Sequence, residues 1–164
     1  VKELLWKIEK NFNEAPEIIA INLEKEKRTI TQIESSKSYF ASYSLPKKYL
    51  YEPNSSLMKS GGFEAVSELF AVGKLHQHSH LFTSDELIDF PGRVFEIKNT
   101  LEYNKANMKS FLENQKANIT TRNFPETVEN IRKKWKIKDG GNLYSFFTTD
   151  MTNSKIVVLC EKLK

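Results

Sequence analysis

The sequence predicts an α+β fold built from three pieces in series, and three observations carry that prediction. Residues 91–164 alternate strand and helix patterns in the order β-α-β-α-β-β, which describes a small sandwich with helices covering a sheet. Residues 17–34 hold two strand patterns about a charged turn. The 164 residues include only 6 Gly and 5 Pro, with 39% hydrophobic and 28% charged side chains. That composition is globular, and its core thins if it is divided between modules.

The first piece, residues 1–45, opens with Leu4, Leu5, Ile8 and Phe12 at helical spacing, so a helix is predicted over residues 3–12. Residues 17–22 read as a strand with Ile18, Ile19 and Ile21 inward. Glu24–Arg28 reads as a solvated turn, and Thr29–Glu34 as a second strand with Ile30 set against polar neighbours. A helix and a hairpin bury too little to stand alone, so this piece is expected to dock elsewhere. Residues 36–54 read as irregular and aromatic, with Tyr39, Phe40, Tyr43, Tyr49 and Tyr51 near Pro46 and Pro53.

The second piece, residues 46–90, has Asn54 as a helix N-cap. Leu57 and Met58 open a short helix that Gly61-Gly62 ends or kinks. Phe63, Val66, Leu69 and Phe70 give a second helix over Phe63–Val72. Leu75–Thr83 alternates as a strand, Ser84-Asp85-Glu86 reads as a helix cap with first-turn acids, and Pro91-Gly92 marks a boundary.

The third piece, residues 91–164, begins with a strand at Val94–Ile97. Next comes a helix over Asn104–Asn114 with Met108, Phe111 and Leu112 inward, and then a strand at Ala117–Thr121. Pro125 suits the first turn of a helix through Lys134 that places Val128, Ile131 and Trp135 on one face. After a turn at Asp139-Gly140-Gly141, Leu143–Thr148 and Lys155–Glu161 are the last strands.

Composition also excludes several classes. No apolar run approaches the ~20 residues of a membrane span. The single Cys160 rules out an intramolecular disulfide framework and a Cys-rich zinc site, so a cytoplasmic address is the expectation. Cys160 lies on the apolar strand Ile156–Leu159 and reads as a buried small hydrophobe rather than a nucleophile. There is no phosphate-loop sequence and no glycine-rich dinucleotide turn after a strand. The chain starts at Val1 with no charged-then-apolar leader, and a fragment of something longer is expected.

The formal charge of +4 is unevenly spread. Residues 1–90 carry 11 basic and 13 acidic side chains, a net of −2, and residues 91–164 carry 14 and 8, a net of +6. The densest basic stretch is Arg132, Lys133, Lys134, Lys136 and Lys138, with Arg122 upstream. These cations could contact successive phosphates of a nucleic acid. Equally, they could be solvated cations favoured by the helix dipole. Trp135 could stack on a base, although its spacing from Ile131 favours the core. His76, His78 and His80 would share one face of a strand and offer imidazole to a zinc ion. Neighbours there are ~6–7 Å apart and seldom converge on one ion, so polar and packing roles are the alternative.

One segment order resembles a known family. Tyr49-Leu50-Tyr51-Glu52-Pro53-Asn54, then Lys74-Leu75-His76, His80–Ser84 and Phe90-Pro91-Gly92-Arg93-Val94-Phe95 resemble segments of a group of bacterial class I S-adenosylmethionine-dependent methyltransferases. Arg122-Asn123-Phe124-Pro125, Ile131–Lys134 and Lys138–Phe146 resemble that group's C-terminal THUMP-like domain. His78 lies outside the pattern. The resemblance implies a ferredoxin-like segment over 46–90 and a THUMP-like domain over 91–164. It also implies that residues 1–45 are the tail of a methyltransferase domain whose cofactor loop precedes Val1. S-adenosylmethionine is then expected for the parent protein and not in this chain, which by itself carries no catalytic residue. The implied partners are structured RNA, tRNA among them, and the protein's own N-terminal methyltransferase domain, with no membrane. Arg122, Arg132, Lys133, Lys134, Lys136 and Lys138 are the RNA-contact candidates. The rival expectation is an interaction domain that packs on the catalytic domain or on a second copy without binding RNA.

Overall fold

The computed structural model describes residues 3–24 and 27–163. Strands β1 (Glu17–Glu24) and β2 (Lys27–Glu34) form an antiparallel hairpin of their own. The link predicted as a turn lies partly outside the described residues. A seven-stranded sheet follows, in the order β4-β5-β3-β6-β9-β8-β7. Its strands are β3 (Tyr49–Pro53), β4 (Gly73–Lys74), β5 (Phe82–Ser84), β6 (Gly92–Glu102), β7 (Asn118–Arg122), β8 (Leu143–Thr149) and β9 (Lys155–Lys162). Among its named strands β7 and β8 run parallel, and the other neighbours are antiparallel. The helices are α1 (Ser55–Ser60), α2 (Phe63–Leu69), α3 (Lys105–Phe111) and α4 (Val128–Trp135).

The sheet is curled, and side-chain alternation shows how. Leu50, Phe95, Phe146, Ile156, Val158 and Cys160 face inward from both halves and enclose one core, filled further by Leu75 and Leu81. The opposite face splits in two. Tyr51, Phe82 and Val94 pack under α1 and α2, with Ala20 and Ile33 of the hairpin. Leu101, Phe147, Val157 and Leu159 pack under α3 and α4. β6 serves both halves because a register shift between Ile97 and Asn99 lets Phe95 face the inner core and Leu101 the outer one.

Local chemistry sets the element ends. The Asn54 side chain accepts from the Ser56 and Leu57 amides, and Gly61 closes α1 at φ 72°. Asn104, where the predicted helix began, is the N-cap of α3, its side chain accepting from the Asn107 amide. α4 starts later than expected: Thr127, not the Pro125 turn, supplies the cap, accepting from the Asn130 amide.

Several expectations are corrected. Residues 3–12 are not helical, with Leu5 92% and Ile8 90% exposed, because their apolar stripe meets no surface in this chain. So short a helix is marginal alone. Ile19 and Ile21 lie on the open face of the hairpin, and Ala20 takes the buried position. The segment 36–54, read as irregular, contains β3, whose Leu50 and Tyr51 are fully buried on opposite faces. The strand expected over 75–83 is instead two short strands around a turn. No helix follows Ser84, whose hydroxyl engages Tyr51 Oη and the Glu86 carbonyl instead. Phe111 is 41% exposed, and Leu112 fills the inward position.

Candidate functional site

The basic stretch at the end of α4 divides by role. Arg132 folds back to donate to the Ile137 and Ala117 carbonyls and pairs with Asp139, so it stitches the helix end. Lys134 donates to Tyr103 Oη at 3.1 Å and to Glu126 at 3.2 Å. Those bonds, Tyr103 first, push its pKa upward. Tyr103 Oη also accepts from Trp135 Nε1 at 3.3 Å and donates to Glu126 at 2.7 Å. Trp135 is therefore a core residue, 7% exposed. Lys133, Lys136 and Lys138 remain exposed, with no ion pair among the described residues. Lys136 closes α4 in the left-handed region at φ 54°. Beside them, Tyr103, Lys105, Lys109, Glu113, Lys134 and Trp135 line a groove of about 470 Å³ between α3 and α4.

Arg122 lies elsewhere. It ends β7 on the inner face and donates to Glu52 Oε1 at 2.7 Å. Arg93, at the start of β6, donates to Glu52 Oε2 at 2.5 Å. In a flat sheet, four strand steps would separate β3 from β7 by roughly 19 Å. Their side chains meet because the sheet curls. The Glu52 side chain is 5% exposed, so a buried carboxylate holds two guanidiniums. The three line an open pocket of about 400 Å³ with Pro53, Ser55, Met58 and Lys59. The Arg122 Nε–H is enclosed with no acceptor among the described residues. Sequence reasoning missed Glu52 and Arg93 as site residues. A charge on an otherwise apolar strand ending in Pro53 was the available signal, but the pairing spans 70 positions.

The three histidines do not share a face. A turn over Gln77–Ser79 separates them, with the Ser79 amide bonded to the His76 carbonyl. His76 Nδ1 accepts from Asn123 and the His78 amide, and its Nε2 reaches Asn153 at 3.2 Å. This pattern fits the neutral tautomer with the proton on Nε2. His76 thus ties the turn to Asn123 after β7 and to Asn153 in the β8–β9 turn. His80 stacks on Phe63 at 3.6 Å. Burial first, then Lys74 and Arg122 nearby, hold its pKa below the usual range. Among the described residues, no group of three or more His, Cys, Asp or Glu side chains is placed to hold a metal ion. Cys160 is buried, and burial pushes its thiol pKa far up, so thiolate chemistry has no foothold there. Among the described residues, no helix is long and apolar enough to cross a membrane.

Curled sheet, outer helices and inner clasp together define an α+β protein with two recognisable domains. Residues 49–91 match the family model of a ferredoxin-like domain, and residues 92–162 match that of a THUMP-like domain. The structure is similar, at a TM-score of 0.79 and 32% sequence identity, to the crystal structure of a "putative methyltransferase" from Porphyromonas gingivalis W83. That likeness covers 90% of this chain and 38% of the other, so this chain spans well under half the length of its structural neighbour. No curated protein matches.

Proposed function

We propose that this chain is the RNA-presenting part of an S-adenosylmethionine-dependent methyltransferase. One observation carries the reading: the THUMP-like domain holds the whole positive excess of the molecule and displays Lys133, Lys136 and Lys138 without ion pairs among the described residues, next to a lysine-lined groove. RNA would be held by phosphate contacts and shape rather than by base reading. Arg132 and Lys134 contribute field and scaffold, since their donors are engaged internally. S-adenosylmethionine supplies the methyl group. It belongs with a catalytic domain, as the methyltransferase likeness suggests.

The test is affinity for tRNA as a function of salt. Binding is expected to weaken steeply with salt. Converting Lys133, Lys136 and Lys138 together to Glu is expected to flatten the log–log slope by about 2–3. No binding at low salt, or an unchanged slope in the variant, removes the RNA reading.

A second reading concerns docking. Ile19, Ile21, Leu23 and Ile30 make an uncovered apolar face on the hairpin, between 43% and 74% exposed. That face fits packing against the rest of a methyltransferase, and it shares no residue with the basic stretch at the end of α4.

A further inference from the structure

We propose that the pocket between the two domains is an oxyanion site for a phosphoryl group, with Arg93 and Arg122 as its binding residues. Assigning that phosphoryl group to RNA rests on the RNA-presenting reading; the oxyanion chemistry does not.

The argument begins with orientation. Arg93 is fixed from two directions, by Glu52 and by its guanidinium lying 5.5 Å from the Phe95 ring centroid. Arg122 is fixed by Glu52 from the opposite domain. One carboxylate cannot satisfy two guanidiniums, each of which carries five N–H donors. Glu52 accepts through Nε and one terminal nitrogen of Arg93 and one terminal nitrogen of Arg122. The remaining terminal donors have no acceptor among the described residues. Both arginine side chains are 36–42% exposed, so these donors are open to the pocket, while Glu52 lies beneath at 5%.

Charge points the same way. Two guanidiniums face the pocket against one buried carboxylate. Two planar forks held in place suit the tetrahedral oxygens of a phosphate, and their ordering entropy is already spent on Glu52. The pocket, at about 400 Å³, admits a phosphate with its attached sugar. Glu52 has two consequences: it orients the forks, and it competes for them.

That competition gives the test. Inorganic phosphate binding is followed by NMR shifts of arginine side-chain signals. Binding of single-stranded RNA, with and without a 5′-phosphate, is followed by anisotropy. Arg122→Lys and Arg93→Lys keep the ion pair with Glu52 and remove the fork, and each is expected to weaken phosphate binding about tenfold. Glu52→Gln is expected to tighten it severalfold if the protein folds, which a urea midpoint reports. Preference for the 5′-phosphorylated strand assigns the site to a monoester end; equal binding assigns it to internal diesters. Unchanged phosphate and RNA binding in folded Arg→Lys variants overturns the pocket while leaving an RNA reading based on Lys133, Lys136 and Lys138 intact. Arginine-dependent phosphate binding without any RNA binding keeps the pocket and removes the RNA reading.

Discussion

At the residue scale, His80 shows how packing converts a titratable side chain into a pH-dependent element of stability. It lies on Phe63 with Nδ1 enclosed and unpartnered among the described residues, and burial is the largest reason that its pKa falls below the ordinary 6.5. The unfolded chain therefore binds the proton more readily than the folded one below that value. The contribution of His80 is complete above about pH 6.5 and is lost as pH falls from there towards the lowered folded value. Urea midpoints measured between pH 7.5 and 5 should show that decline, and His80→Gln should remove part of it. An unchanged acid slope in the variant contradicts this assignment. Lys74 has a related constraint. Fully buried beside Glu64, it donates to the Gln77 carbonyl at 2.9 Å and lies over the Phe63 ring. That contact fixes the turn on which His76 and His80 sit.

At the element scale, two glycines at ends of elements serve different physical needs. Gly61 adopts φ 72° with open space around it, so Gly61→Ala costs only backbone strain, ~1 kcal/mol. Gly92 starts β6 where an added Cβ would land on the Glu52 carbonyl oxygen, backbone that cannot rotate away. Gly92→Ala must shift β3 against β6 and should cost clearly more, on the order of 2–3 kcal/mol. It should also disturb the Glu52–Arg93 pair, because Glu52 and Arg93 are register partners. Denaturation of the two variants side by side checks the ranking, and equal losses would contradict it. α4 is a further case. Its buried Ile131 and Trp135 anchor it, so Lys133 of its last turn is presented by a rigid support rather than by a loop.

At the scale of the whole molecule, the two matched domains share one sheet and one inner core, so they are expected to unfold together. The hairpin is the exception. It contributes Ala20 and Ile33 to the core beneath α1 and α2 and leaves its other face open. Ile21→Lys with Ile30→Lys, a directly paired couple, should leave stability within about 0.5 kcal/mol because the sites are already exposed. The same change should abolish association with a methyltransferase catalytic domain while leaving tRNA affinity in place. Analytical ultracentrifugation with and without that domain reads the outcome, and undiminished association removes the docking role from this face.

The sequence by itself determined what local chemistry controls. Asn54, Asn104 and Gly61 mark helix ends because caps and left-handed turns depend on neighbours a few positions away. The third piece's strand and helix order follows from periodicity, and the uneven charge is written directly in composition. Only the tertiary structure decided which apolar stripes find a partner. Residues 3–12 have helical spacing and no surface to bury it on, whereas Tyr49–Pro53, unpromising beside two prolines, becomes a central strand. It also decided what the cations do. Arg132 is consumed by backbone carbonyls, Lys133, Lys136 and Lys138 stay open, and Arg122 is carried to Glu52 across a curled sheet. That last contact depends on curvature accumulated over the whole sheet, and no short window of sequence contains it.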